Sequence, residues 1–349
     1  MPPASYEPLD EALDRLRPYG SELTNGNFNH APMVAEALCA LGRPEAVLPW
    51  IERYRPRMVQ RSAGGEPIRR TGWRDALGRR DRFADWSEFF GDAMRDAAWR
   101  DVLELWAARL APGVCAAATH GPIRVGHAAR GLDAGDSPQR RRELADALAS
   151  WASSYAELPV GDGEDHGRLA PRDALARVAV VPPERRRPGN IVASLARLSE
   201  FPDFAPAIGL IEVDGELGPL LSELCELFAR VYLANVHNVP TAIAFIHGVT
   251  SLAALGHLVP LVGDATARSL LRYGWQAGCG LYACYGGAPF AAEIAQGDED
   301  ADALVDRAVA NGDEHVIKFT EACLSRHRIA PSPAYQAATR NVLGVIGAR

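Results

Sequence analysis

Apolar residues recur along this chain mainly at three- and four-residue intervals, and clean two-residue alternation is scarce, a pattern that predicts helices nearly throughout. One stripe, Met33, Ala37, Leu38 and Leu41, lies between Asn29 and Gly42, residues suited to the start and stop of a helix. The same periodicity predicts helices over 44–55 and, as one long element carrying Trp86, Phe89, Phe90, Trp99, Val102, Leu103 and Trp106, over 85–110. Asp136, Ser137 and Pro138 form a start signal for a helix running through Trp151 and Tyr155. Further helices are expected over 190–200, 216–236, 240–256 and 265–282. Two shorter ones follow, divided by Asn311 and Gly312 as a stop and Asp313 as a new N-cap, and a last one begins after Pro333. Between 160 and 188 the strings GDGEDHG and VVPPERRRPG are rich in glycine, proline and charge and predict exposed connections. The histidine-bearing segments on either side are expected to serve one site. The predicted architecture is therefore all-α, a single domain over 1–349 built as an irregular helical bundle with the site in its interior.

Composition narrows the partners. With 349 residues and 48% hydrophobic content the chain can bury a large core. A net charge of -7 and a pI near 5.8 leave no electrostatic footprint for nucleic acid or for an anionic membrane surface. The first thirty residues lack a basic start followed by an apolar run, so no secretory signal is expected. No stretch is expected to reach the roughly 18 uncharged apolar residues that would span a bilayer. Cys39, Cys115, Cys225, Cys279, Cys284 and Cys323 are scattered and form no CxxC pair, which predicts reduced core residues in a cytoplasmic protein, neither a disulfide framework nor a zinc knuckle.

The basic residues are lopsided: lysine and arginine together number 37, and Lys318 is the single lysine among them. Where arginine serves everywhere else, a persisting lysine calls for a reason. A neutral amine is one, because a guanidinium stays protonated in proteins. Lys318 stands in His315-Val316-Ile317-Lys318, in the opening turns of the helix that starts near Asp313, and the three-residue offset puts His315 and Lys318 on one face. A neutral lysine amine can add carbon dioxide and become a carboxylate-like oxygen ligand for a metal. The plainer reading of the same residue is a solvated lysine, or a salt bridge to Glu314 or Glu321.

His30 follows Asn29 in NGNFNHAPM, with Pro32 suited to the opening turn of a helix. A helix N-terminus disfavours the imidazolium and leaves a neutral ring, able to bind a metal or to act as a polar cap. His120 and His127 in THGPIRVGHAARG share a helical face but lie about 10 Å apart along the axis, too far for one metal. His120 precedes Gly121 and Pro122 at a helix start, as His30 precedes Ala31 and Pro32, and is the preferred ligand of the two. His247 sits inside TAIAFIHGVTSLAAL, where a buried imidazole must find a partner, either a backbone carbonyl or a metal. His237 is expected to cap the loop before that helix, and His166, His257 and His327 to be structural or exposed. Gly278 to Ala283 match a loose GxGxxA, but helical sequence surrounds them and no strand precedes, so a dinucleotide fold fails on context. GxxxxGK[ST], HExxH and GxSxG are all missing from the sequence, and no flavin or haem is expected.

Taken together, NHAPM at 29–33, HGPIRVGHAARG at 120–131, FIHGVTS at 245–251 and HVIKFTEACL at 315–324 resemble the questin oxidase-like family, in order and over nearly the whole chain. The resemblance implies an oxygenase that opens a ring of an anthraquinone-type polyketide, in a Baeyer–Villiger-like or dioxygenase-like reaction with dioxygen. It further implies mononuclear non-haem Fe(II) held by His30, His120, His247 and His315 together with a carboxylated Lys318; around such a site Asp313 or Glu321 is expected to orient the ligands. Neither 160–188 nor 286–298 matches, and both are expected to shape substrate choice. A metal-independent or NADPH-supported monooxygenase on the same substrates, and a non-catalytic helical protein that binds an aromatic metabolite, remain open alternatives. A zinc hydrolase fits less well, since this ligand set leaves little room for a catalytic water on tetrahedral zinc.

Overall fold

A computed structural model describes residues 3–161, 169–294 and 299–348. The chain begins with α1 (Leu9–Leu16), strand β1 (Tyr19–Leu23), α2 (Ala31–Ala40) and α3 (Val47–Tyr54), then strand β2 (Met58–Gln60). It continues through α4 (Phe83–Asp96), α5 (Trp99–Leu110), α6 (His120–Ala134), α7 (Pro138–Ser153) and the short α8 (Pro171–Leu175) and α9 (Ile191–Ala196). Long helices α10 (Leu217–Asn235), α11 (Val239–Leu258) and α12 (Asp264–Tyr285) follow, then α13 (Ala301–Asn311), α14 (Glu314–Ile329) and α15 (Pro333–Val345). The fold is all-α, as the periodicity predicts, apart from a small antiparallel pairing of β1 with β2 that sets Leu23 opposite Met58.

The stop and start signals at Ser137, Gly312 and Asp313 are used as read, whereas the cap expected of His237 is supplied by Asn238. Ser137 caps α7, and Asn238 with Thr241 forms a capping box on α11. Gly312, at φ 75°, ends α13 in the left-handed conformation that a residue without a Cβ adopts cheaply, and the Asp313 carboxylate then accepts from the His315 N–H to start α14.

Four expectations need correction. The long helix over 85–110 is two, broken by the extended residues Ala97 and Ala98, and the five-residue step from Met94 to Trp99 is out of phase with a 3.6-residue repeat. The connection over 160–188 is not simply exposed: α8 buries Ala174 and Leu175, Val178 is buried, and Val181 donates to the Ala283 carbonyl. Residues 162–168, including His166, lie outside the described residues, as do 295–298 within the unmatched 286–298 stretch. Third, helix α1 carries its own apolar stripe, Leu9, Ala12, Leu13 and Leu16, which the sequence reading passed over. Last, Val239–Leu261 is long and apolar enough to cross a membrane by length and composition, because its Gly, Ser, Thr and His positions interrupt the apolar run without charging it; 78% of that window is buried within the protein. The cysteines are all free and buried, as expected.

The largest apolar cluster is formed by α4 to α7, α10 to α12 and parts of α14 and α15. A second joins α1, α2, α3 and α13. Helix α14 serves both, sending Val316, Phe319 and Cys323 to the first and Ile317 and Leu324 to the second, so it is buried almost all round. A small apolar group, Met33, Ile123 and Ala254, lies between α2, α6 and α11.

Helices α6 and α11 approach so closely that a Cβ on Gly126 would stand 2.6 Å from the Ala254 carbonyl oxygen. Since that neighbour is backbone, the helices themselves would have to separate. Gly126→Ala is therefore expected to lower the unfolding free energy by about 1–3 kcal/mol, whereas Gly344→Ala, with nothing within 4 Å of the added carbon, is expected to be near neutral. Urea denaturation of the two variants side by side checks this; equal effects would refute the close approach.

Candidate metal centre

Helices α2, α6, α11 and α14 pack in a closed ring, α2 on α6, α6 on α11, α11 on α14 and α14 on α2. Each turns one of the predicted histidines inward. His30 is the residue before the first turn of α2, held there by Asn29, whose side chain accepts from the Ala31 N–H and donates to the Gly20 carbonyl of β1. His120 is the first residue of α6, His247 lies mid-way along α11, and His315 and Lys318 share one face of the opening turns of α14. All five are buried, Lys318 to 2% exposure.

The rings converge. His30 Nε2 lies 2.7 Å from His120 Nε2, and His247 Nε2 lies 3.4 Å from the same atom. The His315 ring centroid stands 4.8 Å from that of His30 and 5.9 Å from that of His247. Lys318 Nζ lies 4.0 Å from Met33 Sδ, on the helix that His30 heads. His127, passed over in favour of His120, lies outside this group.

What faces outward determines the tautomers. His120 Nδ1 is 2.6 Å from the Ala117 carbonyl, His247 Nδ1 is 2.6 Å from the Ile243 carbonyl, and His315 Nδ1 is 3.1 Å from Asp313 Oδ1. A carbonyl or carboxylate only accepts, so these nitrogens carry the proton and each Nε2 is left as a lone pair. Burial, reinforced by the charge of Lys318 and by the neighbouring rings, pushes His30 and His120 well below the ordinary imidazole value. Burial, with His315 and Lys318, takes His247 down to about 3. The rings of His30, His120 and His247 are neutral. For His30 the dominant cause is burial, and not its place at a helix N-terminus.

Two bare lone pairs 3.4 Å apart are not a hydrogen bond; they repel unless a cation or a proton lies between them. A proton on His30 Nε2 would satisfy His120 alone, leaving His247 Nε2 unmatched and His30 Nδ1, which is buried and has no hydrogen-bond partner, still unmet. A divalent first-row metal that favours imidazole fits this donor set, with the outward hydrogen bonds orienting each ring.

The backbone that delivers His120 is strained. Ala117, Ala118 and Thr119 have φ of 53°, 55° and 68°, a left-handed turn of three residues with Cβ atoms, each at a cost of about 1–2 kcal/mol. That turn aims the Ala117 carbonyl at the His120 ring. No glycine marks it, and the alanines read as ordinary helix formers, so the sequence carries no signal for it.

Lys318 is neither solvated nor salt-bridged in the expected way: burial pulls its amine down to about 8 against the opposing pull of Glu314 and Asp313. Glu321 instead pairs with Arg130, and Glu314 receives two bonds from Arg57, at 2.9 and 3.1 Å. One Glu314 oxygen also comes within 4.8 Å of ring nitrogens of His30 and His315. Glu314 thus borders the site as a carboxylate not assigned there from sequence, and any bond it made to a metal would be shared with the Arg57 guanidinium.

The same four helices carry a second polar layer that the motifs did not disclose. Arg130 of α6 donates to both oxygens of Glu36 in α2, at 2.7 and 2.6 Å, and to Glu321 of α14, and stands 3.0 Å from His257 Nε2 of α11. His127 Nδ1 lies 2.6 Å from Glu36, which also accepts from Tyr6 at 2.8 Å. His257 is therefore structural, as expected; His237 is exposed and contributes only its backbone N–H to Thr241, and His327 bonds Ser332.

The sequence model of the questin oxidase-like family matches residues 28–323, a span that contains every residue of the cluster. No curated protein matches the chain.

The polar layer yields two expectations. Arg130→Met would strand buried Glu36 and Glu321 and is expected to lower stability by about 3–5 kcal/mol. Burial pushes the Glu36 carboxyl up, but the Arg130 charge and the bonds from His127 and Arg130 overcome it and hold the group well below its ordinary 4.5. A carboxylate lowered by folding stabilises the protein above its unfolded value and loses that contribution as pH falls through the folded one. Unfolding free energy should therefore decline as pH drops below 4.5, and Glu36→Gln should make the decline shallower. An unchanged slope in acid titration of the variant would exclude Glu36 as the group responsible.

Proposed function

The chain belongs to the questin oxidase-like family, oxidoreductases that oxygenate anthraquinones, and on that premise we propose that it opens a ring of an anthraquinone-type aromatic polyketide with dioxygen, using ferrous non-haem iron held by His30, His120, His247, His315 and a carbamylated Lys318. The observation that carries this reading is the convergence of imidazole Nε2 lone pairs whose Nδ1–H groups are already committed to carbonyls and to Asp313. Iron bound there would supply the one-electron chemistry that lets dioxygen react with a closed-shell aromatic.

The protein's own groups prepare that chemistry. The four helices keep water from the imidazoles, and the Ala117 and Ile243 carbonyls hold the rings in the tautomer that leaves Nε2 free. Lys318 gains reactivity from burial, since an amine lowered to about 8 has a neutral fraction near neutral pH. Its Nζ lone pair attacks carbon dioxide, an N–C bond forms, and one amine proton leaves to solvent, giving a carboxylate-type oxygen ligand. Arginine cannot undergo that step, which accounts for the lone lysine in a chain otherwise served by arginine. Met33, Ile123 and Ala254 pack as a buried apolar group between α2, α6 and α11.

Elemental analysis of untagged protein, purified and then reconstituted anaerobically with ferrous iron, tests the site. Near-stoichiometric iron is expected in the parent and little in Lys318→Arg or His247→Ala, with oxygen uptake on an anthraquinone and anthrone panel lost in parallel. Oxygen uptake without bound iron would point to the substrate-driven or externally reduced reaction. Binding of the panel without oxygen uptake would leave a metabolite-binding protein.

A further inference from the structure

The sides of the histidine cluster are helices; the turn between β1 and α2 covers it toward solvent. Phe28, half-buried in that turn, lies face to face with the His120 ring, centroids 5.0 Å apart and planes 24° from parallel. The Arg80 guanidinium stands 4.8 Å from the same phenyl centroid, and two groups so close over one ring must take opposite faces. Arg80 is exposed, with 47% of its side chain open to solvent. His120 in turn lies 4.6 Å from His30 and 4.7 Å from His247, centroid to centroid. Three flat groups thus stand in file from solvent to the cluster: guanidinium, phenyl, imidazole. Among the described residues, Phe28 is the one ring outside the cluster that stacks on it.

The backbone of the turn is pinned, by 2.8 Å bonds from Leu23 to the Asn27 carbonyl, from Thr24 to the Arg57 carbonyl and from Asn29 to the Ser21 carbonyl, so the phenyl side chain, and not the turn, is the part that can move. Thr24, Asn25, Gly26 and Asn27 are exposed, and Gly26, at φ 78°, has nothing within 4 Å of the place a Cβ would take. Arg80 tethers the turn by a long 3.4 Å bond to the Gly26 carbonyl and by an exposed pair with Glu22, contacts of little strength in water.

We propose that Phe28 holds the place of the ligand: a planar aromatic displaces the phenyl ring, stacks on His120 beside the metal-binding nitrogens, and pairs an ionised phenol or other acidic substituent with Arg80. This rests on the aromatic-substrate reading above but not on iron. The phenyl ring shows that the slot accepts an aromatic face against imidazole, and the guanidinium above it adds attraction for a π-face and for an anionic edge. Selection for planar, acidic aromatics then resides in Phe28 and Arg80, neither of which reaches the metal-binding atoms.

The test is equilibrium binding of anthraquinone-2-sulfonate and of uncharged anthraquinone to the full chain, read by quenching of tryptophan fluorescence, with and without ferrous iron. Phe28→Ala is expected to tighten both ligands by about fivefold, because no ring has to be expelled. Arg80→Gln is expected to weaken the sulfonate by about tenfold and leave the uncharged ring nearly unchanged. Phe28→Leu, which keeps the bulk, is expected to bind as the parent does, and thermal unfolding of each variant confirms that it folds. Unchanged or weaker binding by Phe28→Ala, equal effects of Arg80→Gln on the two ligands, or no binding by any of the proteins would overturn the proposal. Because the comparison is made without iron as well as with it, failure of the iron site would not be mistaken for failure of the slot.

Discussion

Imidazoles pointing lone pairs at one another in a buried interior repel unless a cation or a proton joins them, and the packing around α2, α6, α11 and α14 holds them in that arrangement. Each outward nitrogen of His120, His247 and His315 is tied to an acceptor, so the rings can neither turn away nor exchange tautomers cheaply. The left-handed turn at 117–119 is the clearest sign that the arrangement is worth a cost, since three residues with Cβ atoms hold a conformation that each would avoid, and Thr119 is anchored to the His247 carbonyl at 3.4 Å.

The second polar layer makes the first one rigid. Arg130 draws a carboxylate from α2 and another from α14 and meets a histidine from α11, so one guanidinium spans all four helices that carry the cluster. The guanidinium and the carboxyl groups it meets are buried, where geometry must be kept if charge is to be compensated. The site and this layer lie on the same helices, and a shift of any one helix would disturb both. The close contact at Gly126 serves the same end by letting α6 and α11 meet at backbone distance.

Against this framework stands the turn carrying Phe28, whose residues 24–27 are exposed and whose phenyl ring stacks on His120. The helices hold the imidazole nitrogens in register, and the exposed turn lies on their solvent side. That division is common where binding groups need precision.

Much of this protein is legible from the chain alone. Periodicity, caps at Ser137 and Asp313, and the stop at Gly312 establish a helical fold, because helix formation and termination depend on neighbours within a few residues. The lone lysine and the four histidine motifs mark the five residues that the fold brings together, since chemistry restricts which side chains can stand there. Tertiary structure decided the rest. The left-handed turn before His120, the Arg130 layer and the stacking of Phe28 between His120 and Arg80 all arise from contacts between residues distant in sequence, or from a conformation that local propensity opposes. No periodicity or motif encodes them, because each depends on which helix faces which, and that is settled only when the cores close.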